Sequence, residues 1–173
     1  AQDAGKDGEQ PGKNLRILVF TKTNGHRHQS IDKGVATLRE LTQMDGISLD
    51  HTEDSLQFNP KTLSQYNLVV FLNTTGDVLG PAQEQAFKDY MANGGSFMGI
   101  HAATDTEYDW PWYGKLVGAY FESHPKQQQA TLRVVDGGPP STAHMPESWS
   151  HVDGWSNFKE LLAGREVLII LEG

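Results

Sequence analysis

The sequence predicts an α/β fold with a mostly parallel sheet, and two observations carry this prediction. Short apolar runs rich in branched residues recur along the chain, among them residues 15–20, Leu68–Leu72 and residues 97–100. Such runs are typical of strands that are buried on both faces. Segments with apolar residues at helical spacing separate them, and strands alternating with helices indicate βαβ units. The 173 residues suffice for one domain with a sizeable core.

The first half of the chain predicts three strands and one clear helix. Residues 15–20 form the first apolar run, and residues 47–51 alternate as a second strand. Ser30 belongs to a residue type that is favoured at helix N-caps. The helix that it opens is predicted by apolar residues at helical spacing: Ile31, Val35, Leu38 and Leu41. A turn or short helix at residues 59–60 precedes the third strand, Leu68–Leu72.

The second half continues the alternation. Pro81 suits the first turn of a second helix, and Gly94 is expected to end that helix in the left-handed conformation. Residues 97–100 predict a buried strand that stops at a histidine. Residues 130–135 alternate as a further strand, and residues 167–171 predict a final buried one.

Composition excludes several classes of protein. The net charge of −8 argues against nucleic acid or an anionic membrane as the main partner, since both favour a basic surface. No run approaches the roughly 18 apolar residues that a membrane span needs. The absence of cysteine excludes a catalytic thiol, a thiolate metal site and disulfide bonds.

The two ends of the chain carry expectations of their own. Residues 1–14 are polar and Gly-rich, which predicts a disordered leader. The chain starts without Met, which fits a mature end left by signal-peptide removal or an expression boundary, and we slightly favour an extracytoplasmic over a cytoplasmic location. Gly173 directly follows an apolar run, so we expect further chain after it.

Three polar loops follow three of the predicted parallel strands. The carboxyl ends of such strands meet at one rim, where α/β proteins bind their ligands. The candidate residues of the three loops are Asn24, His26, Arg27 and His28; Asn73, Thr74, Thr75 and Asp77; and His101, Thr104, Asp105 and Glu107.

His101 is the leading catalytic candidate, with Asp105 and Glu107 behind it. It stands where a strand turns sharply, as at a nucleophile elbow, and it is either a general base, a metal ligand or a buried histidine bonded to backbone. His124 is a second histidine near the same rim. With His101 and a carboxylate it would make a ligand set that suits zinc or another divalent metal.

The remaining candidates have two interpretations each. Arg27 binds an anionic or hydroxyl-rich ligand, or it pairs with a carboxylate. The loop at residues 73–77 binds a polyhydroxylated ligand, or it is a capped turn. We expect only one of His26 and His28 to face the site. The aromatic residues stack on sugar faces or anchor the core: Tyr108, Trp110, Trp112 and Tyr113.

Three segments carry a family resemblance: LVFTKTNGHRHQSI, LVVFLNTTGDVL and GSFMGIHAATDTEYDWPWYGKLVGAYFESHP. They resemble the ThuA-like, or trehalose utilisation, family. The resemblance implies a fold like that of class I glutamine amidotransferases, a flavodoxin-like three-layer α/β sandwich. It places His101 where those enzymes carry a nucleophilic cysteine, so amidotransfer is excluded here. It also implies a role in sugar catabolism, often outside the cytoplasm and beside or fused to sugar dehydrogenases.

Two departures from the family pattern are visible. Relatives usually have a glutamate and a tyrosine in place of Gly154 and Ser156, and they continue past the present end with a further His/Glu-bearing segment. We therefore expect a ThuA-like domain over residues 15–173 that lacks its C-terminal segment.

The functional hypothesis is a carbohydrate-processing protein that acts on a glycoside or keto-sugar, with His101 as general base. The alternatives are a non-catalytic sugar-binding or interaction module, and a metal-dependent hydrolase that uses His101 and His124. The expected partners are a small carbohydrate and either a second copy of the chain or an associated sugar dehydrogenase.

Overall fold

The main sheet is parallel, as predicted. The computed structural model describes residues 15–44 and 46–172; the predicted leader at residues 1–14 lies outside them. Within the described residues the sheet has four strands: β1 (Arg16–Phe20), β2 (Ser48–Thr52), β3 (Leu68–Leu72) and β4 (Ser96–Ile100). Their spatial order is β2–β1–β3–β4, and every neighbouring pair is parallel. The three apolar runs are thus confirmed as parallel neighbours.

Helices cover both faces of this sheet. They are α1 (Ile31–Met44), α2 (Pro60–Leu63), α3 (Pro81–Ala92) and α4 (Pro111–Val117). Successive side chains of a strand point to opposite faces. Val70 therefore packs with Ile31 of α1 on one face, whereas Phe71 packs with Phe87 of α3 and Tyr113 of α4 on the other. The result is a three-layer α/β arrangement with two separate apolar cores.

The buried face of α1 differs from the predicted one at a single position, whereas the predicted end of α3 is confirmed. Leu41 is 56% exposed, and the buried position on that turn of α1 belongs to Thr42. The Thr42 hydroxyl donates to the Leu38 carbonyl, 2.9 Å away, which satisfies it without water. Gly94 has a φ of 90°, so the predicted left-handed end of α3 is confirmed.

The second half of the chain adds antiparallel strands instead of extending the parallel sheet. They are β5 (Tyr120–Ser123), β6 (Gln128–Val134), β7 (Ser148–Asp153), β8 (Asn157–Lys159) and β9 (Ile169–Glu172). In one sheet β6 lies between β7 and β9, and β5 pairs with β8 in another. The strands predicted near residues 130–135 and 167–171 therefore exist, outside the parallel sheet.

Two predictions of burial were wrong. Val167 is 53% and Leu171 46% exposed, so the last run is not a buried strand. β4 is an edge strand among the described residues, and Met98 on it is 47% exposed. None of the described helices is long and apolar enough to span a membrane.

Candidate functional site

The loops that follow β1, β3 and β4 lie side by side at the carboxyl rim of the sheet. The backbone N–H of Asn24 donates to the Thr75 carbonyl at 2.8 Å, which joins the first loop to the second. The N–H of Gly76 donates to the Asp105 carbonyl at 2.8 Å, and that of Glu107 to the Gly76 carbonyl at 3.1 Å. The β3 loop is therefore the central one, bonded on both sides.

His101 stands at a sharp turn of the chain. Its φ is 54°, in the left-handed region that residues other than glycine rarely adopt. It begins a 3₁₀ turn, His101–Asp105, in which Ala102 and Ala103 are buried while His101 remains exposed. The buried alanines anchor the turn in the core, and the imidazole lies at the rim.

Three imidazole rings meet at this point. The ring centroids of His28 and His101 are 4.7 Å apart and those of His26 and His28 are 4.8 Å apart, both pairs edge to face. The expectation that only one of His26 and His28 faces the site was wrong: residues two apart in an extended segment share a face. Burial, followed by the charges of His101 and His26, lowers the pKa of His28 below its ordinary value. Its ring is therefore neutral at neutral pH.

A cavity of about 390 Å³ opens beside these rings. Its walls come from the first and third loops and from the antiparallel part of the chain, and they include His26, His28, His101, Thr104, Asp105, Phe121, His124, Lys126, Asp153 and Ser156. Asn73 does not line this cavity. It lines an adjoining groove between α1 and β4, which shares His101 and Asp153 with the cavity.

Asp105 and His124 bring further polar groups to the cavity. An oxygen of the Asp105 carboxylate accepts a 2.6 Å hydrogen bond from the Tyr108 hydroxyl. Burial and this carboxylate raise the pKa of Tyr108, so the hydroxyl keeps its proton. Nδ1 of His124 is 3.2 Å from the Pro125 carbonyl oxygen. The cavity thus presents imidazoles and two carboxylates, the groups from which general acids and bases are made.

Glu107 stands apart from this set, which corrects its expected place beside His101. It is only 3% exposed and does not line the cavity. One carboxylate oxygen accepts the backbone N–H groups of Val78 and Leu79, each at 2.8 Å. Burial raises the pKa of Glu107 to about 7, against the opposing effect of the two amide bonds.

The loop at residues 73–77 is a scaffold, which favours the capped-turn interpretation. Thr74 and Thr75 are fully buried; the hydroxyl of Thr74 bonds that of Thr106 at 2.9 Å, and that of Thr75 donates to the His26 carbonyl at 2.8 Å. The Asn73 amide donates to the Ser30 hydroxyl at 3.0 Å. Asp77 is exposed and outside the cavity, and its carbonyl accepts the Asn24 side chain. None of the four predicted ligand-binding residues of this loop reaches the cavity.

Arg27 and the two tryptophans are also used structurally. The Arg27 guanidinium pairs with the Glu53 carboxylate at 2.8 Å, outside the cavity. Trp110 is 9% exposed and stacks on Trp112 with centroids 4.9 Å apart, in the core between the sheet and α3. Of the two interpretations of these tryptophans, the structure favours core anchoring over sugar stacking, because both rings pack against Phe87.

The donor set does not fit the predicted divalent metal. His101 and His124 line the same cavity. Over residues 15–44 and 46–172, however, no three His, Asp or Glu side chains are grouped so that they could hold a metal ion. Zinc sites need three or four protein ligands.

Several residues of the cavity were not predicted as site residues, among them Phe121, Lys126, Asp153 and Ser156. The signal for Phe121 was available, since Tyr120 is buried on β5 and the next residue of a strand faces the other way. Asp153 and Ser156 reach the cavity through antiparallel pairing of β7 with β6 and of β8 with β5, which the pattern of a parallel fold did not indicate.

Comparison with known proteins adds family evidence to this geometry. The family model of ThuA, described as trehalose utilisation, matches residues 16–172. A solved structure described as a ThuA-like protein, from Bacteroides uniformis ATCC 8492, superposes with a TM-score of 0.77 at 23% identity, over 95% of this chain and 71% of the other. Another, from Parabacteroides merdae ATCC 43184, gives 0.70 at 21% identity, over 92% and 68%. No curated protein sequence matches significantly.

Proposed function

The chain belongs to the ThuA family of trehalose utilisation, and we propose that it processes a small carbohydrate, a glycoside or keto-sugar, in the His101 cavity. The family supports a role connected with carbohydrate, and the fold of the solved relatives is the same α/β arrangement. The position of His101 in the cavity supports the finer proposal that it is the general base of the reaction.

One observation carries the proposal: His101 lies exposed at the rim of a cavity, edge to face with a histidine whose pKa is lowered. A neutral imidazole is a suitable base near neutral pH. Because His28 stays neutral, it places no positive charge beside His101. The left-handed turn at His101 directs its side chain away from the buried alanines.

The chemistry that fits this arrangement is removal of a proton from a carbon next to a ketone. The C–H bond breaks, its proton moves to the imidazole of His101, and its electron pair forms the enolate. The enolate then expels a glycosidic oxygen on the neighbouring carbon, and that oxygen leaves with the C–O electron pair. It takes up a proton from a protonated histidine of the cavity or from water. Phe121 supplies an apolar wall for the sugar ring.

The test compares wild type, His101→Ala and His144→Ala with trehalose and its keto form. His144 is exposed and does not line the cavity, so its variant controls for the loss of any histidine. Loss of a proton-transfer group costs on the order of 10²–10⁴-fold in rate. We expect His101→Ala to lose turnover by that factor while calorimetry shows ligand binding largely retained.

The outcomes separate the two candidate functions. Turnover by wild type and His144→Ala, but not by His101→Ala, supports the enzyme. Binding of either sugar without turnover by any of the three proteins favours a binding module instead. Equal turnover by His101→Ala and wild type would refute the role of His101.

A further inference from the structure

Glu107 is a buried carboxylate that the proposed reaction does not use. It is only 3% exposed, and its backbone has a φ of 55°, a left-handed conformation that is unfavourable for residues other than glycine. Its side chain turns away from the cavity and toward the end of the β3 loop. There one of its oxygens accepts the N–H groups of Val78 and Leu79.

These two amides lie directly before α3. Gly80 is the N-cap of that helix and Pro81 its first residue, and no side chain caps the end. Val78 and Leu79 are buried, so their N–H groups need a partner within the protein, and the Glu107 carboxylate supplies it. Glu107 therefore fixes the segment that joins the β3 loop to α3.

The backbone of the same residue is bonded to the β3 loop and to strand β5. Its N–H donates to the Gly76 carbonyl at 3.1 Å, while Gly76 donates to the Asp105 carbonyl at 2.8 Å. The Tyr120 hydroxyl donates to the Glu107 carbonyl at 3.0 Å. A shift of the Glu107 side chain would release the β3 loop and, through Gly76, the turn that carries Asp105 and His101.

The charges around Glu107 do not favour its ionised form. Burial and the carboxylates of Asp77 and Glu84 disfavour that form, and together they outweigh the two amide hydrogen bonds, which favour it. The buried phenols of Tyr113 and Tyr120 also face it. A buried carboxylate in such surroundings lowers stability. Features of that kind are expected where they set a geometry that function needs.

We propose that Glu107 is a positioning residue that holds His101 and Asp105 at the cavity by tying the β3 loop to the turn after β4. This inference rests on the proposed function for its effect on rate, but its effect on loop order can be measured without a substrate. It assigns Glu107 no contact with the sugar.

The experiment uses Glu107→Ala, Glu107→Gln and Leu63→Val in the full chain. Gln keeps an oxygen that can accept the two amides, whereas Ala removes it. Leu63 is a buried core residue of α2 outside the cavity, so Leu63→Val controls for general loss of stability. Two quantities are measured: hydrogen exchange of the backbone amides of residues 76, 78 and 79, and the NMR resonances of the His101 ring. Turnover of the keto-sugar is measured on the same samples.

We expect Glu107→Ala to lose protection at these amides, to shift the His101 ring resonances and to lower kcat about 10- to 100-fold, the scale of a misplaced catalytic group. Glu107→Gln should retain most of the wild-type amide protection, ring resonances and kcat. Leu63→Val should leave the ring resonances and kcat as in wild type. Unchanged amide protection and ring resonances in folded Glu107→Ala would overturn the inference. If Glu107→Ala does not fold, Glu107→Asp decides: its carboxylate is one methylene shorter, and wild-type protection with wild-type resonances would overturn the inference equally. If wild type turns over no sugar, the proposed function fails while exchange and resonances still decide the role of Glu107.

Discussion

Replacing Glu107 by glutamine should change how stability depends on pH. The carboxyl has a pKa of about 7 in the folded protein, against an ordinary value of 4.5, because it is buried. The folded state therefore holds a proton between about pH 4.5 and pH 7 that the unfolded state has lost. By linkage, the free energy of unfolding falls as pH rises through this window. The stabilising effect of the neutral form is complete below pH 4.5 and lost above pH 7.

The size of the effect follows from the pKa. One pH unit of pKa corresponds to about 1.4 kcal/mol, so a rise from 4.5 to about 7 corresponds to about 3 kcal/mol. Glutamine has no proton to lose. The difference in unfolding free energy, Glu107→Gln minus wild type, should therefore increase by about 3 kcal/mol between pH 4.5 and pH 8. A constant difference from the changed hydrogen bonding adds the same amount at every pH.

Urea denaturation at pH 4.5, 6 and 8 measures this difference. Histidines also titrate in this range, but they are present in both proteins and their contribution cancels in the difference. Glu40→Gln is the matched control, because Glu40 is exposed on α1 and its loss removes the same formal charge. Its difference from wild type should stay within about 0.5 kcal/mol at each pH. A flat difference for Glu107→Gln would show that the carboxylate is not buried as described.

Two further predictions test the surroundings of the cavity. His101→Ala should raise the pKa of His28, measured by NMR titration of its ring, because the charge of His101 and burial both lower that pKa; an unchanged or lower value would place the two rings apart. Trp110→Ala should lower the free energy of unfolding by about 3–5 kcal/mol in urea denaturation, as for other buried aromatic residues. A loss below 1 kcal/mol would instead leave the ring free to face a ligand.

The strands of the main sheet could be predicted because a strand that is buried on both faces needs apolar residues at successive positions, and such a run is visible in the sequence. β1 and β3 are covered by helices on both faces, and their continuous apolar sequences report this directly. β4 has a similar run, yet Met98 is exposed. A sequence run shows what a strand can bury, whereas its position at the sheet edge depends on which other segments pair with it. The same limit explains why residues 167–171 were predicted as buried.

The candidate site was predicted in part, because side-chain chemistry is visible in a sequence and side-chain direction in a loop is not. His26, His28, His101, Asp105 and His124 do share a cavity. Three other candidates have similar polar or aromatic side chains but make their contacts outside the cavity. Arg27 pairs with a carboxylate, Trp110 packs in the core, and Glu107 accepts two backbone amides. Residue type alone does not distinguish the candidates that line the cavity from those that pack elsewhere.

The backbone conformation of the three loops explains why some candidate side chains line the cavity and others do not. Among the described residues other than glycine, four have a positive φ: Asn73, His101, Glu107 and Glu160. Three of these four lie in the two loops that meet at Gly76, where β3 and β4 end. Each left-handed residue reverses the local direction of the chain, so His101 lies at the rim while Glu107, six positions later, turns into the core. Such conformations persist only where neighbouring contacts enforce them. The amides held by Glu107 and the buried pair of Thr74 and Thr106 are contacts of that kind, and they connect the packing of this fold to the position of its candidate base.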